Sequence, residues 1–179
     1  MKMDAGLDTG DILTQRATLI QTTDNAQTLH DRLAQVGAEL LVQTIPDYVA
    51  GKIRPRQQPA EGVSHAPKLK KEDGRIDWSL SASAIVNRIR AFTPWPGAFT
   101  FLYSPPHAQL LKIWEAVVVS DTGRPGEILR ADRSGSVIGC AKDALHILML
   151  QREGGRRMSA SEFLAGHPLK LGETFGIHL

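Results

Sequence analysis

With one cysteine in 179 residues, Cys140, this chain has no means of forming an internal disulfide, and its six histidines stand at no zinc-site spacing. A reducing cytoplasm suits such a composition, and no metal is expected. No apolar run approaches the roughly 20 residues that span a bilayer. The amino-terminal stretch also lacks the basic-then-apolar order of a signal peptide, so neither membrane insertion nor export is expected. Aromatics are scarce, at 6% of the residues, and the net charge is only +2, which gives no global field for a polyanion. What is present suffices for a folded body: 42% of the residues are hydrophobic, enough to bury a core. There is no internal repeat and no low-complexity tract.

The first distinctive stretch is Met3-Asp4-Ala5-Gly6-Leu7-Asp8-Thr9-Gly10-Asp11-Ile12-Leu13, an acidic, glycine-bearing turn that runs into an apolar segment. Two glycines let such a backbone take positive φ or approach a flat ligand, and Asp8 between them can be aimed by the backbone. The plainer reading of Asp4, Asp8 and Asp11 is local: short acids cap and stabilise turns. Ile12-Leu13 and Ala17 to Ile20 predict a pair of strands. A helix follows, capped by Asp24 or Asn25, with Leu29, Leu33, Val36 and Leu40 on one stripe, until Pro46 and Gly51 break it. That stripe needs a sheet or helix to press against, and two strands are fewer than a stable sheet requires. Residues 1–51 therefore read as the end of an α/β domain.

Charge is unevenly placed. Residues 52 to 71 carry Lys52, Arg54, Arg56, Lys68, Lys70 and Lys71 against Glu61 alone, a local balance of +5. With three prolines in the stretch from Arg54 through Pro67 and no periodicity, this is a linker crossing a surface. It is either a solvated strap or a track for a phosphate backbone. Beyond it, Ser81 caps a predicted helix whose stripe is Ala82, Ile85, Val86, Ile89 and Phe92, ended by Thr93-Pro94-Trp95-Pro96-Gly97. Five strands are predicted at Ala98–Tyr103, Leu110–Val119, Gly126–Ala131, Ser136–Cys140 and Ala144–Leu150. That spacing argues for a small antiparallel barrel. Ser159 to Leu164 predicts a capped helical turn, followed by an ordered coil. Trp78 and Trp114 are expected in the core, and Trp95 stands between a packing and a stacking role. His65 is expected to pack or hydrogen-bond within the linker.

The acidic turn resembles the catalytic loop of the methionyl-tRNA formyltransferases. The resemblance continues through Glu61-Gly62-Val63-Ser64-His65-Ala66-Pro67-Lys68-Leu69, Asp73-Gly74-Arg75-Ile76-Asp77-Trp78-Ser79 and Ile89-Arg90-Ala91-Phe92-Thr93-Pro94-Trp95-Pro96-Gly97-Ala98. It closes with Gln151-Arg152-Glu153-Gly154-Gly155-Arg156-Arg157-Met158-Ser159-Ala160. It implies three regions: an α/β remnant at 1–51, the end of a Rossmann-like formyltransferase domain; a basic linker at 52–73; and a mainly antiparallel, OB-fold-like barrel with a helix at 74–179. The reaction it implies moves a formyl group from 10-formyltetrahydrofolate to the amino group of methionine on the initiator tRNA. By the same resemblance, Asp8 is the catalytic proton-handling residue, and Ala5, Gly6 and Leu7 form the pterin-side turn. Lys68, Lys70, Lys71, Arg75, Arg88 and Arg90 are the candidates to face the initiator methionyl-tRNA. The family's remaining catalytic groups, an asparagine and a histidine, lie upstream of this loop, so the chain is expected to be an amino-terminally truncated form, catalytically incomplete and monomeric. The alternatives are a non-catalytic RNA-binding module, or a related folate-dependent formyltransferase acting on another amine.

Overall fold

The structure, a computed structural model, describes residues 1–104 and 107–176, so His178 lies outside the described residues. It divides into two compact units, Met1–Lys68 and Leu69–Leu179.

The first unit is built around one helix, α1 (Ala26–Val49). Asn25 is its cap: its side-chain oxygen accepts from the Thr28 amide at 3.0 Å, and the Thr28 hydroxyl accepts from the Asn25 amide at 3.0 Å. Asp24 instead accepts from the Gln21 amide at 2.6 Å and pairs with Arg32. The helix runs through Pro46 rather than ending there. A proline removes one amide donor, and the ladder resumes with the Ala50 amide bonded to the Pro46 carbonyl at 2.9 Å.

Residues 8–20 do not form the expected strand pair. Ile12 makes a lone antiparallel bridge to Arg56, with amide-to-carbonyl distances of 2.8 and 2.9 Å, while Leu19 and Ile20 stay exposed. A β-prone run becomes a strand only where a neighbour offers a ladder, and here the linker offers a single residue. Leu29, Val36 and Leu40 are half-buried and Leu33 is exposed, as are Leu41, Val42 and Ile45. The only buried residues described in this unit are Gly10, Asp24 and Thr44. Polar contacts do the joining. The Thr14 and Thr44 hydroxyls meet at 2.7 Å, Arg16 reaches Glu39 at 3.1 Å, and the Gln58 amide donates to the Asp8 and Gly10 carbonyls at 2.7 and 2.8 Å.

The second unit holds a 3-10 turn (Lys71–Gly74), α2 (Ala82–Ala91), β1 (Ala98–Ser104), β2 (His107–Val119), β3 (Ile128–Asp132), β4 (Gly135–Gly139), β5 (Ala144–Arg152), β6 (Arg157–Ser159) and α3 (Ala160–Gly166). Every strand pairing is antiparallel, in the order β1-β2-β5-β4-β3. One edge of β5 runs along β2; the other is shared by β4 and then β6. The five predicted strands are present. The sixth, β6, is three residues long and abuts the Ser159 cap of α3, too short to show a period of two.

The stretch expected to be coil closes the sheet. Gly172 and Phe175 donate to the carbonyls of Ile128 and Gly126 at 3.0 and 2.8 Å, and the Ile128 amide returns to Glu173 at 2.8 Å. On its other side, Gly176 donates to Phe101 at 2.9 Å and Phe175 bridges Leu102. Thus the segment joins the two edge strands, β3 and β1.

Alternation then sorts the side chains of β1 and β2. Ala98, Thr100, Leu102, Leu111 and Ile113 are buried, together with Ala82, Ile85 and Ile89 of α2. The Trp78 indole donates to Thr100 at 3.1 Å and its ring stacks on Phe175 at 6.0 Å, so Trp78 is core. Trp114 is not: it sits half-buried on the opposite face of β2 from Ile113, because it lies one residue beyond an inward position. Cys140 is buried, and burial pushes its thiol up to about 11. Such a thiol carries little thiolate and is inert at neutral pH.

Two outcomes are expected. Phe175→Ala removes both a core ring and the anchor of the closing segment, and should lower the stability of the second unit by about 3–5 kcal/mol, read by urea denaturation with tryptophan fluorescence. An unchanged midpoint would show that closure is dispensable. For α1, the Gln21 amide first, then Arg32 and Thr28, hold the Asp24 carboxyl below its ordinary 3.8. Because the folded value lies below the unfolded one, the stability from this carboxylate is complete above about pH 4 and lost as pH falls through the folded value. Protection factors of the amides in the first turns of α1 should therefore fall below that pH in the parent, and be low at every pH in Asp24→Asn.

Candidate functional site

The acidic turn is built by close backbone approach. A Cβ on the buried Gly10 would collide with the Lys2 carbonyl, and the Lys2 amide donates to Asp11 at 2.8 Å. Asp4 organises the turn by accepting from the Gly6 amide at 3.1 Å and the Thr9 hydroxyl at 2.6 Å. Neither Gly6 nor Gly10 takes the left-handed conformation; Asp8 does, at φ 54°. Aspartate tolerates that region better than most side chains, and a non-glycine held there marks stored strain. Asp8 is exposed, and its carboxylate has no hydrogen bond or ion pair among the described residues. Ala5, Gly6 and Leu7 are exposed as well, Leu7 at 80%. The three offer an edge for a flat ring and do not enclose one.

The basic candidates separate. Lys68 ends the first unit, and the others belong to the second. Asp73 gathers part of the set. Its carboxylate accepts from the Lys70 amide at 2.7 Å and its carbonyl accepts from Arg88 of α2 at 2.9 Å, so Lys70, Lys71 and Arg88 share one neighbourhood. Arg88 also lies 5.1 Å from the Phe92 ring centre, and Arg90 donates to Asn87 at 3.3 Å. The side chains of Lys68, Lys70 and Lys71 are exposed, with no carboxylate in ion-pair reach among the described residues.

Arg75 points elsewhere, to within 5.7 Å of the Phe101 ring centre. It also lines a cavity of about 460 Å³ walled by Trp78, Phe175 and Pro125, with Asp77 at its rim. The Ser79 hydroxyl and amide hold the Asp77 carboxyl below its ordinary value, with Arg88 adding to the effect. The cavity thus presents one cation, one firmly ionised acid and two aromatic walls.

Sequence reasoning missed a further group. On the outer side of β2, the Trp114 indole donates to Gln151 at 3.0 Å, and two cations attend its ring: Arg157 at 3.4 Å from the centre and Lys112 at 5.8 Å. The available signal was the alternation Leu111-Lys112-Ile113-Trp114, which puts the tryptophan on the lysine's side of the strand. Among the described residues, no group of histidines, cysteines or acids is arranged to hold a metal ion. No described helix is long and apolar enough to cross a membrane.

Residues 68–168 match the family model described as formyl transferase, C-terminal domain. The chain is 46% identical over 176 residues to a methionyl-tRNA formyltransferase of Geobacter sulfurreducens, covering 98% of this chain and 54% of that protein. The namesakes from Nitrosomonas eutropha and Caldanaerobacter subterraneus are each 44% identical, over 98% and 96% of this chain and 55% of theirs. The chain therefore spans about half the length of the curated relatives it matches. Among solved structures, a multiply substituted variant of HypX from Aquifex aeolicus superposes with a TM-score of 0.63 at 19% identity, over 96% of this chain and 30% of that one. HypX in complex with tetrahydrofolic acid gives 0.61 at 17%, over 98% and 32%. At such identity the likeness concerns the fold. With more than half of its residues matched by that model, the chain belongs to the formyl transferase C-terminal-domain family.

Proposed function

We propose that this chain serves in the formylation of methionyl initiator tRNA, with 10-formyltetrahydrofolate as the formyl donor, and that its second unit is the OB-fold-like, tRNA-holding part. The observation that carries this reading is identity of about 45%, running through 98% of the chain, to proteins named for that reaction. The folate donor finds support in a fold neighbour solved with tetrahydrofolic acid.

Formyl transfer to an amine needs a neutral nucleophile, donors for the tetrahedral oxyanion and a path for protons. Asp8 suits the last of these, because an exposed carboxylate, without internal partners and held by a strained backbone, can accept a proton from the attacking amine through a water. Ala5, Gly6 and Leu7 would give one edge of the pterin contact, with the amide of Gly6 already committed to Asp4. Oxyanion donors do not follow from the residues around Asp8, and catalysis is proposed to need groups beyond this chain. The first unit as a whole is proposed as the end of a Rossmann-like domain, residues 1–51, joined by the linker 52–73 to the barrel from 74 onward.

Lys68, Lys70, Lys71, Arg75, Arg88 and Arg90 are the proposed tRNA contacts. Cations on an extended strap and beside a short turn can follow a phosphate backbone and release its counterions. A second reading, an RNA-binding module without catalysis, is favoured by one observation: the described residues of the first unit bury no apolar side chain.

Two measurements separate these readings. Joined to the remaining half of the Geobacter sulfurreducens relative, the chain should formylate methionyl-tRNA, and Asp8→Asn should cost about 100-fold to 10,000-fold in kcat while leaving tRNA affinity in place. Unchanged turnover would remove Asp8 from the chemistry. Lys70→Glu with Lys71→Glu should weaken tRNA binding and lower the slope of log K against log salt by roughly two contacts' worth. An unaltered slope would remove the strap from the interface.

A further inference from the structure

The register of the second unit sets four side chains in one row across four strands. Phe99 of β1 lies opposite Lys112 of β2, Lys112 opposite Gln151 of β5, and Gln151 opposite Arg157 of β6. Their neighbours Ala98, Thr100, Leu111, Ile113 and Leu150 are all buried, so the row occupies the other face of the sheet. Three strand spacings make it about 14 Å long.

The row is both aromatic and basic, and it is held stiff. Phe101, two residues beyond Phe99, meets that ring edge-on at 5.8 Å and receives Arg75 at 5.7 Å. Trp114, two residues beyond Lys112, is fixed through its indole N–H on Gln151, whose own amide donates to the Gly155 carbonyl at 2.6 Å. The guanidinium carbon of Arg157 approaches the indole centre to 3.4 Å, a stacking distance. Neither Arg157 nor Lys112 has a carboxylate within ion-pair distance among the described residues, whereas Arg124, Arg130 and Arg156 each have one. Two cations therefore share one ring without a counter-charge. A ring face offsets such charge only partly. The ligand that would satisfy the row carries regularly spaced anions and flat, unpaired rings.

We propose that this outer face of β1, β2, β5 and β6 is a contact site for an unpaired stretch of RNA. Lys112 and Arg157 take phosphates, and Phe99, Phe101 and the Arg157-covered Trp114 give surfaces on which bases stack. The inference rests on the tRNA reading above and extends its basic surface along the sheet, because the turn that carries Lys71 abuts the row: a Cβ on Gly74 would lie 3.3 Å from the Phe99 ring.

The test uses the full chain and three probes: tRNA, a labelled single-stranded RNA oligonucleotide and a blunt RNA duplex, with affinity read by fluorescence anisotropy across a salt series. Arg157→Gln and Lys112→Gln should each weaken the single strand by about tenfold and lower its salt slope by roughly 0.7. Arg124→Gln, the loss of one exposed charge that is paired with Glu127, should change neither. Equal weakening by all three variants would mean that net charge alone is felt, and would overturn the site; so would variants that bind like the parent, or a loss confined to the duplex. Independently of any substitution, a photo-crosslinkable single strand should attach to peptides of β1, β2, β5 or β6, and attachment elsewhere overturns the site. If the parent binds tRNA while these results fail, only this face is lost. A parent that binds none of the three RNAs removes the tRNA reading as well.

Discussion

Five residues near the carboxyl end, Gly172–Gly176, set what the second unit can be. They bond to the start of β3 on one side and to β1 on the other, so two edge strands that would each show a row of unpaired amides and carbonyls are joined. Phe175 makes this closure cooperative with the core, since the residue that bridges Leu102 also stacks on Trp78. Trp78 in turn hydrogen-bonds Thr100 of β1. Closure, the seating of the first tryptophan and the walls of the Arg75 cavity are consequences of one contact.

The two units are held by different physics. In the second, α2 lays Ala82, Ile85 and Ile89 onto buried positions of the sheet, and the buried side chains form one apolar cluster. In the first, the helix touches the extended chain through hydroxyls, an ion pair and amide bonds, while Leu41, Val42, Ile45 and Val49 remain in water. Surface ion pairs contribute at most about 1 kcal/mol each. The acidic turn is thus locally well specified but carried on a body with little burial beneath it.

Much of this was legible in the residues. The apolar stripe of α2, the serine caps at 81 and 159 and the five longer strands follow from periodicity and turn chemistry, and the structure has all of them. What escaped did so for identifiable reasons. Ile12-Leu13 and Ala17 to Ile20 have strand composition without a partner, and a ladder is not a property of one segment. Pro46 reads locally as a breaker, though a helix of 24 residues can lose one amide. The role of the tail depends on contacts with residues about 45 and 75 positions away, beyond any local pattern. Tryptophan favours burial by composition, whereas strand alternation sends Trp114 outward; the more local rule won. At the acidic turn the left-handed position fell on Asp8 instead of a glycine, a choice that composition does not make.

Cys140 adds a practical consequence. The thiol sits in the core of the closed sheet with its proton held to about 11, so a maleimide or similar reagent gains access only when that core opens. As the chain's sole sulfhydryl, it is a native clock for opening of that sheet: the rate of alkylation would time the rupture of the second unit without any engineered label, whatever the first unit is doing.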